Sequence, residues 1–325
     1  MGHILITGIA GGLAQRVAEV LVERGQKVVG VDYRPVGKLG GLLSRVEIHR
    51  AKYDKTAIED VFRAYSGAGI DAVLHLGRVG NLREEMGKRF DLNVTGSQKL
   101  LELALRYRVR AMVVLSTFHV YGADARNHTP IGEDDPLRAG TEFPEIADAI
   151  QLDSMAALWA FRYRDVRTVV LRPTNVVGPT VNNTMSKFLR LPVIPHLLGY
   201  NPMTQFVHER DLAAAIVLAL DGPRGGHEGR GVFNVAGPTA IPWRTAIELV
   251  DARALALLPA LASIYGRLAG FPHYLLNFYK WPCVIGDANF RRAFGYKPTV
   301  DIRTSLYSTV AEARAVQRGS WMAAR

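Results

Sequence analysis

The sequence predicts a doubly wound α/β protein, with a parallel sheet and a smaller C-terminal lobe. Short apolar runs alternate with helix-length periodic segments through the first half of the 325-residue chain, a pattern typical of strand–helix–strand units. After Pro173 the pattern changes to a proline-containing stretch and then to a segment rich in Leu, Ala, Tyr and Phe. Hydrophobic residues make up 48% of the chain, which is enough for a sizeable core and argues against disorder.

The predicted elements follow one another in the order expected of such units. The predicted strands are His3 to Thr7, Lys27 to Val31, Val46 to His49, Ala72 to Leu76, Ala111 to Ser116 and Thr168 to Leu171. The predicted helices are Ala14 to Glu23, Thr56 to Tyr65, Gly96 to Arg106 and Ile150 to Arg162. Because crossover connections in such a sheet are almost always right-handed, this order indicates a doubly wound architecture.

A glycine motif lies between the first strand and the first helix, at Thr7–Ala14. Gly8 allows a tight turn, Gly11 lets the backbone approach a pyrophosphate, and the small Ala14 permits close packing of the helix on the sheet. A pyrophosphate would then lie at the N-terminus of the helix. The motif therefore predicts a Rossmann-type dinucleotide site. The residues expected to hold the dinucleotide here are Gly8, Ala10, Gly11, Gly12 and Leu13.

An acidic residue, Asp32, closes the second predicted strand. A carboxylate at this position accepts hydrogen bonds from the adenosine ribose hydroxyls and repels a 2′-phosphate, so we expect NAD in preference to NADP. Arg34 follows two residues later and would reach a 2′-phosphate if Asp32 turned away. The alternative is that the glycines are plain turn residues and that Asp32 is a surface charge. The combination of strand, turn, helix and acidic residue argues against that alternative.

The second half of the chain lacks the regular alternation. Residues 179–204 contain several prolines and asparagines, so we predict irregular structure over a site there. The run Val232–Gly237 is typical of one more core strand, and the apolar stretch Leu255–Ile264 is too short to span a bilayer. The predicted domains are a dinucleotide-binding domain at residues 1–178, to which residues 205–237 return, and a substrate lobe at residues 179–204 and 238–325.

Composition limits the partners. The single cysteine, Cys283, has no second thiol for a disulfide, so we predict a buried structural thiol and no metal site. The formal net charge of +10 comes from dispersed Lys and Arg without a nucleic-acid-binding motif, so no nucleic-acid partner is expected. An anionic membrane surface stays an alternative partner, and a homodimer is left open. Since the N-terminal residues lack a signal peptide, we expect a cytoplasmic protein.

Further motifs follow the glycine motif in order along the chain. They are Asp71–Gly77, Asn93–Gly96, Leu115–Gly122, Leu171–Pro179, Gln205–Asp211 and Phe233–Gly237. With these motifs the chain resembles an extended short-chain dehydrogenase/reductase, the group that contains sugar-nucleotide epimerases, dehydratases and 3β-hydroxysteroid dehydrogenases. The resemblance extends over nearly the whole chain.

The resemblance assigns roles to individual residues. It places Thr117 at the catalytic Ser/Thr that hydrogen-bonds the substrate oxygen, and Asn93 at the asparagine that supports the active-site helix. It also places Leu76, Gly77, Asn93 and Pro173 beside the cofactor.

The family's proton donor, a tyrosine four residues before a lysine, is missing. In the family the lysine lowers the pKa of the tyrosine, which exchanges a proton during hydride transfer. Alignment of the helix before Leu171 puts Ala149 at the tyrosine position and Asp153 at the lysine position. Two further departures are Ala51, where the family usually has an Asp for the adenine amino group, and Arg78, which replaces a small residue near the expected cofactor.

Three interpretations remain open. In the first, the chain is an atypical oxidoreductase or epimerase-like enzyme in which His119 replaces the missing acid/base group; a histidine pKa near 6.5 suits proton transfer at neutral pH. His119 would otherwise be a packed loop residue. In the second, the chain binds NAD without catalysis, as a sensor, scaffold or partner subunit. In the third, the tyrosine comes from Tyr121 or Tyr163.

Aromatic residues crowd the predicted substrate lobe, which offers few charged groups for a nucleotide-sugar diphosphate. We therefore predict a hydrophobic alcohol or ketone as the small-molecule substrate. The aromatic residues are Tyr265, Phe271, Tyr274, Phe278, Tyr279 and Trp281.

Overall fold

The computed structural model describes residues 2–37, 39–79, 84–262 and 274–323. Its strands, in chain order, are β1 (His3–Thr7), β2 (Val28–Asp32), β3 (Glu47–Arg50), β4 (Ile70–His75), β5 (Ala111–Leu115), β6 (Arg167–Pro173), β7 (Asn175–Val177), β8 (Val193–Leu197), β9 (Met203–His208), β10 (Gly231–Val235), β11 (Ala240–Pro242) and β12 (Arg253–Leu257). Its α-helices are α1 (Gly12–Glu23), α2 (Ala57–Ala64), α3 (Met86–Phe90), α4 (Gly96–Arg106), α5 (Ala139–Glu142), α6 (Ala147–Arg162), α7 (Thr184–Leu189), α8 (Glu209–Asp221), α9 (Trp243–Leu249), α10 (Leu275–Phe278), α11 (Ala288–Phe294) and α12 (Ile302–Ala323).

Seven parallel strands form the central sheet, in the order β10-β6-β5-β4-β1-β2-β3. The chain order reverses between β1 and β4, and in such sheets ligands bind outside the carboxyl ends of the strands at this switch point. The predicted fold class is therefore confirmed.

Apolar side chains fill both faces of this sheet. On one face Val17 of α1 and Ile216 of α8 belong to a core that also includes Ile6 of β1. On the other face Leu100 of α4 and Ala156 of α6 pack in a second core. Since both faces are covered by helices, the strands read as continuous apolar runs in the sequence.

The prediction of irregular structure for residues 179–204 is wrong for part of that range. Helix α7 begins with a capping box, in which the Asn183 side chain accepts from the Ser186 N–H and the Ser186 hydroxyl contacts the Asn183 backbone. Strand β8 pairs in parallel with β12. Strand β9 pairs with β7 and β11 in a second small sheet.

The remaining chain packs partly on a separate core and partly on the central sheet. Trp243 of α9 is buried in a third core with Phe206 and Leu306. Phe290 and Phe294 of α11 instead pack in the core of the central sheet. Among the described residues, the structure contains no helix with the length and apolar character needed to span a bilayer.

Candidate active site

The glycine turn after β1 requires glycine for two reasons. Gly8 has a φ of +78°, a conformation that L side chains rarely adopt. A Cβ on Gly8 would lie 2.5 Å from the Gly77 Cα, because the turns after β1 and β4 touch at the switch point. The Gly8 N–H donates to the Val31 carbonyl at 2.8 Å and to the Tyr53 hydroxyl at 2.9 Å.

The N-terminus of α1 faces open space. Gly11 precedes the helix and provides no side-chain cap for its first N–H groups. Among the described residues, a Cβ on Gly11 would approach only the Gly8 carbonyl oxygen, at 3.2 Å. Gly12 differs, because a Cβ there would lie 2.5 Å from the Thr180 carbonyl oxygen. The first N–H groups of α1 have no side-chain cap, and Gly11 beside them has no side chain. This arrangement fits a dinucleotide pyrophosphate.

Asp32 lies at the end of β2 and is buried. Its Oδ2 accepts from the Ala10 N–H at 3.0 Å, which fixes the glycine turn against β2. Its Oδ1 accepts from the Arg34 N–H at 2.9 Å and from Arg34 Nε at 3.2 Å. The Arg34 side chain is 50% exposed. Arg34, which sequence reasoning placed nearby, therefore already contacts the carboxylate expected to bind a ribose.

His75, at the end of β4, is a structural residue. One ring nitrogen lies 2.7 Å from the Thr7 hydroxyl and the other 2.7 Å from the Ser97 hydroxyl. Burial lowers the pKa of His75 to about 4, so the ring is neutral at physiological pH. The Gly77 N–H donates to the same Thr7 hydroxyl at 3.2 Å.

A buried ion pair anchors the N-terminus of α6. Asp148 accepts from Asn93 at 2.6 Å and also from the Arg89 guanidinium. Arg89 additionally donates to the Glu145 carbonyl at 2.6 Å, and the Asn93 amide exchanges hydrogen bonds with the Val79 backbone. Asn93 thus supports α6, as the resemblance implies, and its side chain is fully engaged with protein. Sequence reasoning missed Arg89 and Asp148, because nothing in the sequence pairs them.

A second buried ion pair lies one turn further along α6. Asp153 accepts from the Ser116 hydroxyl at 2.5 Å and from Arg172 at 3.0 and 2.6 Å. Burial alone would lower the pKa of Arg172, but the hydrogen bonds and charge of Asp153 outweigh burial and raise that pKa. Ala149 is also buried, so the helix presents a methyl group and an ion-paired carboxylate where the resemblance implies tyrosine and lysine.

The tyrosines weighed as substitutes lie elsewhere. Tyr121 is fully buried; it accepts from Arg172 at 2.8 Å and donates to Asn234 at 2.8 Å. Tyr163 follows the last residue of α6, with its ring 4.1 Å from the Trp159 ring.

Thr117 and His119 follow β5. Thr117 caps a short 3-10 helix, and its hydroxyl accepts from the His119 N–H at 3.3 Å. The His119 ring lies 4.5 Å from the Phe118 ring, 4.8 Å from the Phe278 ring and 5.8 Å from the Tyr274 ring. Burial, followed by the charge of Arg78, lowers the pKa of His119 to about 3. His119 therefore does not keep the ordinary histidine pKa near 6.5 that would suit proton transfer at neutral pH, because an aromatic surrounding disfavours the imidazolium.

The predicted aromatic cluster divides into two groups. Tyr274 and Phe278 face His119, whereas Tyr279 packs on Trp243 with 5.0 Å between ring centroids. Trp281 lies against Tyr200. Tyr265 and Phe271 lie outside the described residues. Cys283 is buried as predicted, and burial raises the pKa of its thiol to about 12.

Most of the predicted site residues lie where strands of the central sheet end. Gly8, Ala10, Gly11, Gly12 and Leu13 follow β1, Asp32 ends β2, Leu76 and Gly77 follow β4, Thr117 and His119 follow β5, and Pro173 ends β6. Asn93 lies just before α4.

The model of the NAD dependent epimerase/dehydratase family matches residues 4–236. The chain belongs to this family. UDP-glucose 4-epimerase of Streptococcus mutans is 26% identical over 325 residues, which cover 92% of this chain and 92% of the relative. Sterol demethylase protein B of Methylococcus capsulatus is 27% identical over 236 residues, which cover 67% of this chain and 65% of the relative.

A solved UDP-glucose-4-epimerase of Stenotrophomonas maltophila, with bound NAD and formylated UDP-arabinopyranose, has the same fold. Its TM-score is 0.77 at 19% identity, and the match covers 98% of this chain and 100% of that chain. The chain spans 57% of the length of three uncharacterized mycobacterial proteins to which it is 27% identical over 224 residues.

The residues of this epimerase/dehydratase family member fit a dinucleotide in its first strand–turn–helix unit, where the helix terminus is bare and Asp32 is buried beside it. The fit is weaker at the adenine end, since Ala51 is a small buried apolar residue with no group for the adenine amino group.

Proposed function

We propose that this chain is an NAD-dependent oxidoreductase that acts on a hydrophobic alcohol or ketone without the tyrosine–lysine pair of its family. The observation that carries the proposal is the aromatic surface beside Thr117. Phe118, Tyr274 and Phe278 pack around His119, and Phe118 and Tyr274 are buried, so the surroundings of this ring are apolar. Such a surface favours an apolar substrate body over a hydrated diphosphate. The likeness to sterol demethylase protein B of Methylococcus capsulatus supports the same substrate class.

Each group of the site has a distinct task in this proposal. NAD, when bound, supplies the hydride acceptor, and the turn at Gly8–Gly12 with Asp32 would hold it. The Thr117 hydroxyl donates a hydrogen bond to the substrate oxygen, since its own oxygen already accepts from the His119 N–H. The neutral His119 ring offers a further hydrogen bond, and the aromatic rings exclude water from the reacting oxygen.

Steady-state cofactor fluorescence with purified protein tests the proposal. The panel contains 3β-hydroxysteroids with NAD, and 3-ketosteroids and acetophenone with NADH, against UDP-glucose with NAD. We expect turnover with at least one hydrophobic compound and none with UDP-glucose, for which chromatography of the sugar nucleotide replaces fluorescence because epimerisation produces no net NADH. Calorimetry with NAD serves as the control. Binding of NAD without any turnover would favour the alternative of a non-catalytic NAD-binding sensor, scaffold or partner subunit.

Asp32 is expected to set the preference for NAD over NADP. A carboxylate opposes the 2′-phosphate, and in Asp32→Asn this repulsion is removed while an oxygen remains to accept from the Ala10 N–H. We expect NAD affinity to fall about tenfold, as for one lost charge-assisted hydrogen bond, and NADP affinity to rise. Calorimetry of both cofactors measures this, with Asp221→Asn, at an exposed surface pair, as the control. Equal affinity of the unmodified protein for NAD and NADP contradicts the assignment.

We expect His119 to cause no change in the reaction rate with pH in the range where histidines usually titrate. Because its pKa is lowered to about 3, the ring stays neutral down to that pH and is protonated only below it. The rate between pH 5 and 8 should therefore show no step near the ordinary histidine value of about 6.5. His119→Ala should lower kcat about tenfold, for one lost hydrogen bond. A step near pH 6.5 that disappears in His119→Ala would show that His119 titrates as an ordinary acid/base.

A further inference from the structure

The site lacks a phenol and a cation on α6, but both kinds of group are present on other elements. Tyr274 directly precedes α10, and Arg78 follows Gly77 after β4. Neither was identified as a catalytic residue from the sequence.

Tyr274 lies beside the residues already placed at the substrate oxygen. It is 5% exposed, and its ring is 5.8 Å from the His119 ring and 5.9 Å from the Phe143 ring. Within the part of the chain that the structure describes, its hydroxyl has no hydrogen-bond partner. A phenol packed among aromatic neighbours, with a hydroxyl that no described residue engages, can bond a ligand oxygen.

Arg78 is the uncommitted cation of the site. Arg89 is paired with Asp148 and Arg172 with Asp153, both in buried pairs. Arg78 forms no salt bridge with any described residue, and its side chain is exposed. Arg78 directly precedes Val79, whose backbone exchanges hydrogen bonds with the Asn93 side chain beside the N-terminus of α6. The charge of Arg78 also acts on Tyr274 and His119.

We propose that Tyr274 is the proton donor and Arg78 its electrostatic partner, which together replace the pair missing at Ala149 and Asp153. The proposal rests on the proposed function. In ketone reduction the carbonyl carbon gains a hydride from the reduced nicotinamide cofactor, and the carbonyl oxygen takes the proton of the Tyr274 hydroxyl. The phenolate left behind recovers a proton from solvent. Arg78 stabilises the negative charge that develops on both oxygens during transfer.

The pKa of Tyr274 determines whether its hydroxyl carries a proton that it can donate. Burial raises the pKa of Tyr274, and the charges of Arg78 and then Arg89 oppose that rise. A proton donor works below its pKa and is lost as pH rises through it, so a raised pKa keeps the phenol active past the ordinary value of about 10. The Tyr274 phenol is therefore protonated at neutral pH, the state in which it can donate to a ketone oxygen.

Tyr274→Phe tests the donor, with Tyr163→Phe as the matched control. We expect Tyr274→Phe to lower kcat for the ketone that reacts fastest in the panel above by about 100-fold or more, with a small change in KM. A second measurement is independent of turnover: calorimetry of the same ketone with NAD-loaded protein, in which no hydride is available. Ketone affinity should fall up to about tenfold in Tyr274→Phe, for one lost hydrogen bond, and stay unchanged in Tyr163→Phe.

Arg78→Met and Arg78→Lys test the cation. We expect Arg78→Met to lower kcat about tenfold or more, Arg78→Lys to recover most of that loss, and NADH affinity to change less than about threefold in both. A large loss of NADH affinity with kcat retained would overturn the role of Arg78, since it would then bind the cofactor. If wild type turns over the ketone and Tyr274→Phe does so at the same rate, this inference is overturned and the proposed function stands. Absence of both turnover and ketone binding in wild type would overturn it together with the proposed function.

Discussion

Gly11→Val is expected to abolish NAD binding while the protein stays folded. A side chain at Gly11 meets only the Gly8 carbonyl oxygen and otherwise projects into the space before α1, where the pyrophosphate would lie. We expect the Kd for NAD to rise by about 100-fold or more, since the added atoms compete with the phosphate itself. Titration calorimetry gives the affinity, and thermal unfolding should give a Tm within about 2 °C of wild type.

Gly8→Val serves as the contrasting variant. There the added Cβ meets the Gly77 backbone and the residue has a φ of +78°, so the fold itself must shift. We expect loss of both stability and NAD binding. If Gly11→Val binds NAD as wild type does, the dinucleotide site is not at this turn.

Arg172→Met is expected to destabilise the fold strongly. Asp153 would remain buried without its cation, which typically costs about 3–5 kcal/mol in the free energy of unfolding. The control is Arg24→Met, which removes an exposed pair with Asp221 and should cost less than about 1 kcal/mol. Urea unfolding measures both.

The double variant Arg172→Met/Asp153→Leu should recover part of this loss, because it leaves no unpaired buried charge. For the same reason Asp153→Lys should not restore the family's chemistry, since it would place a second cation against Arg172. In our interpretation the Arg172–Asp153 pair is structural and Asp153 stands at the position of the family's lysine. If Arg172→Met were as stable as Arg24→Met, this structural role would be contradicted.

Local sequence patterns predicted the central sheet well. Strand β1 and helix α4 have the predicted bounds. Strand β1 is a short apolar run that ends at the Gly8 turn, and α4 buries apolar residues at helical spacing, such as Leu100 and Ala104. The error in residues 179–204 came from giving prolines more weight than capping: Asn183 and Ser186 mark a helix start that the same sequence displays.

The candidate site was predictable only where neighbours in sequence are neighbours in space. The glycine turn and Thr117 belong to this class. Arg78 and Tyr274 come from opposite halves of the chain, and only the tertiary fold brings them together. The lowered pKa of His119 likewise depends on Phe278, which no local pattern connects to it.

A crystal structure of the protein with NAD and a hydrophobic ketone tests the central claim most directly. We expect a pyrophosphate on the backbone at Gly11, the ketone oxygen about 2.6–3.2 Å from the Thr117 hydroxyl, and the apolar body of the ketone against Phe118 and Phe278. A ketone bound away from Thr117, or a nicotinamide ring excluded from this region, would contradict it.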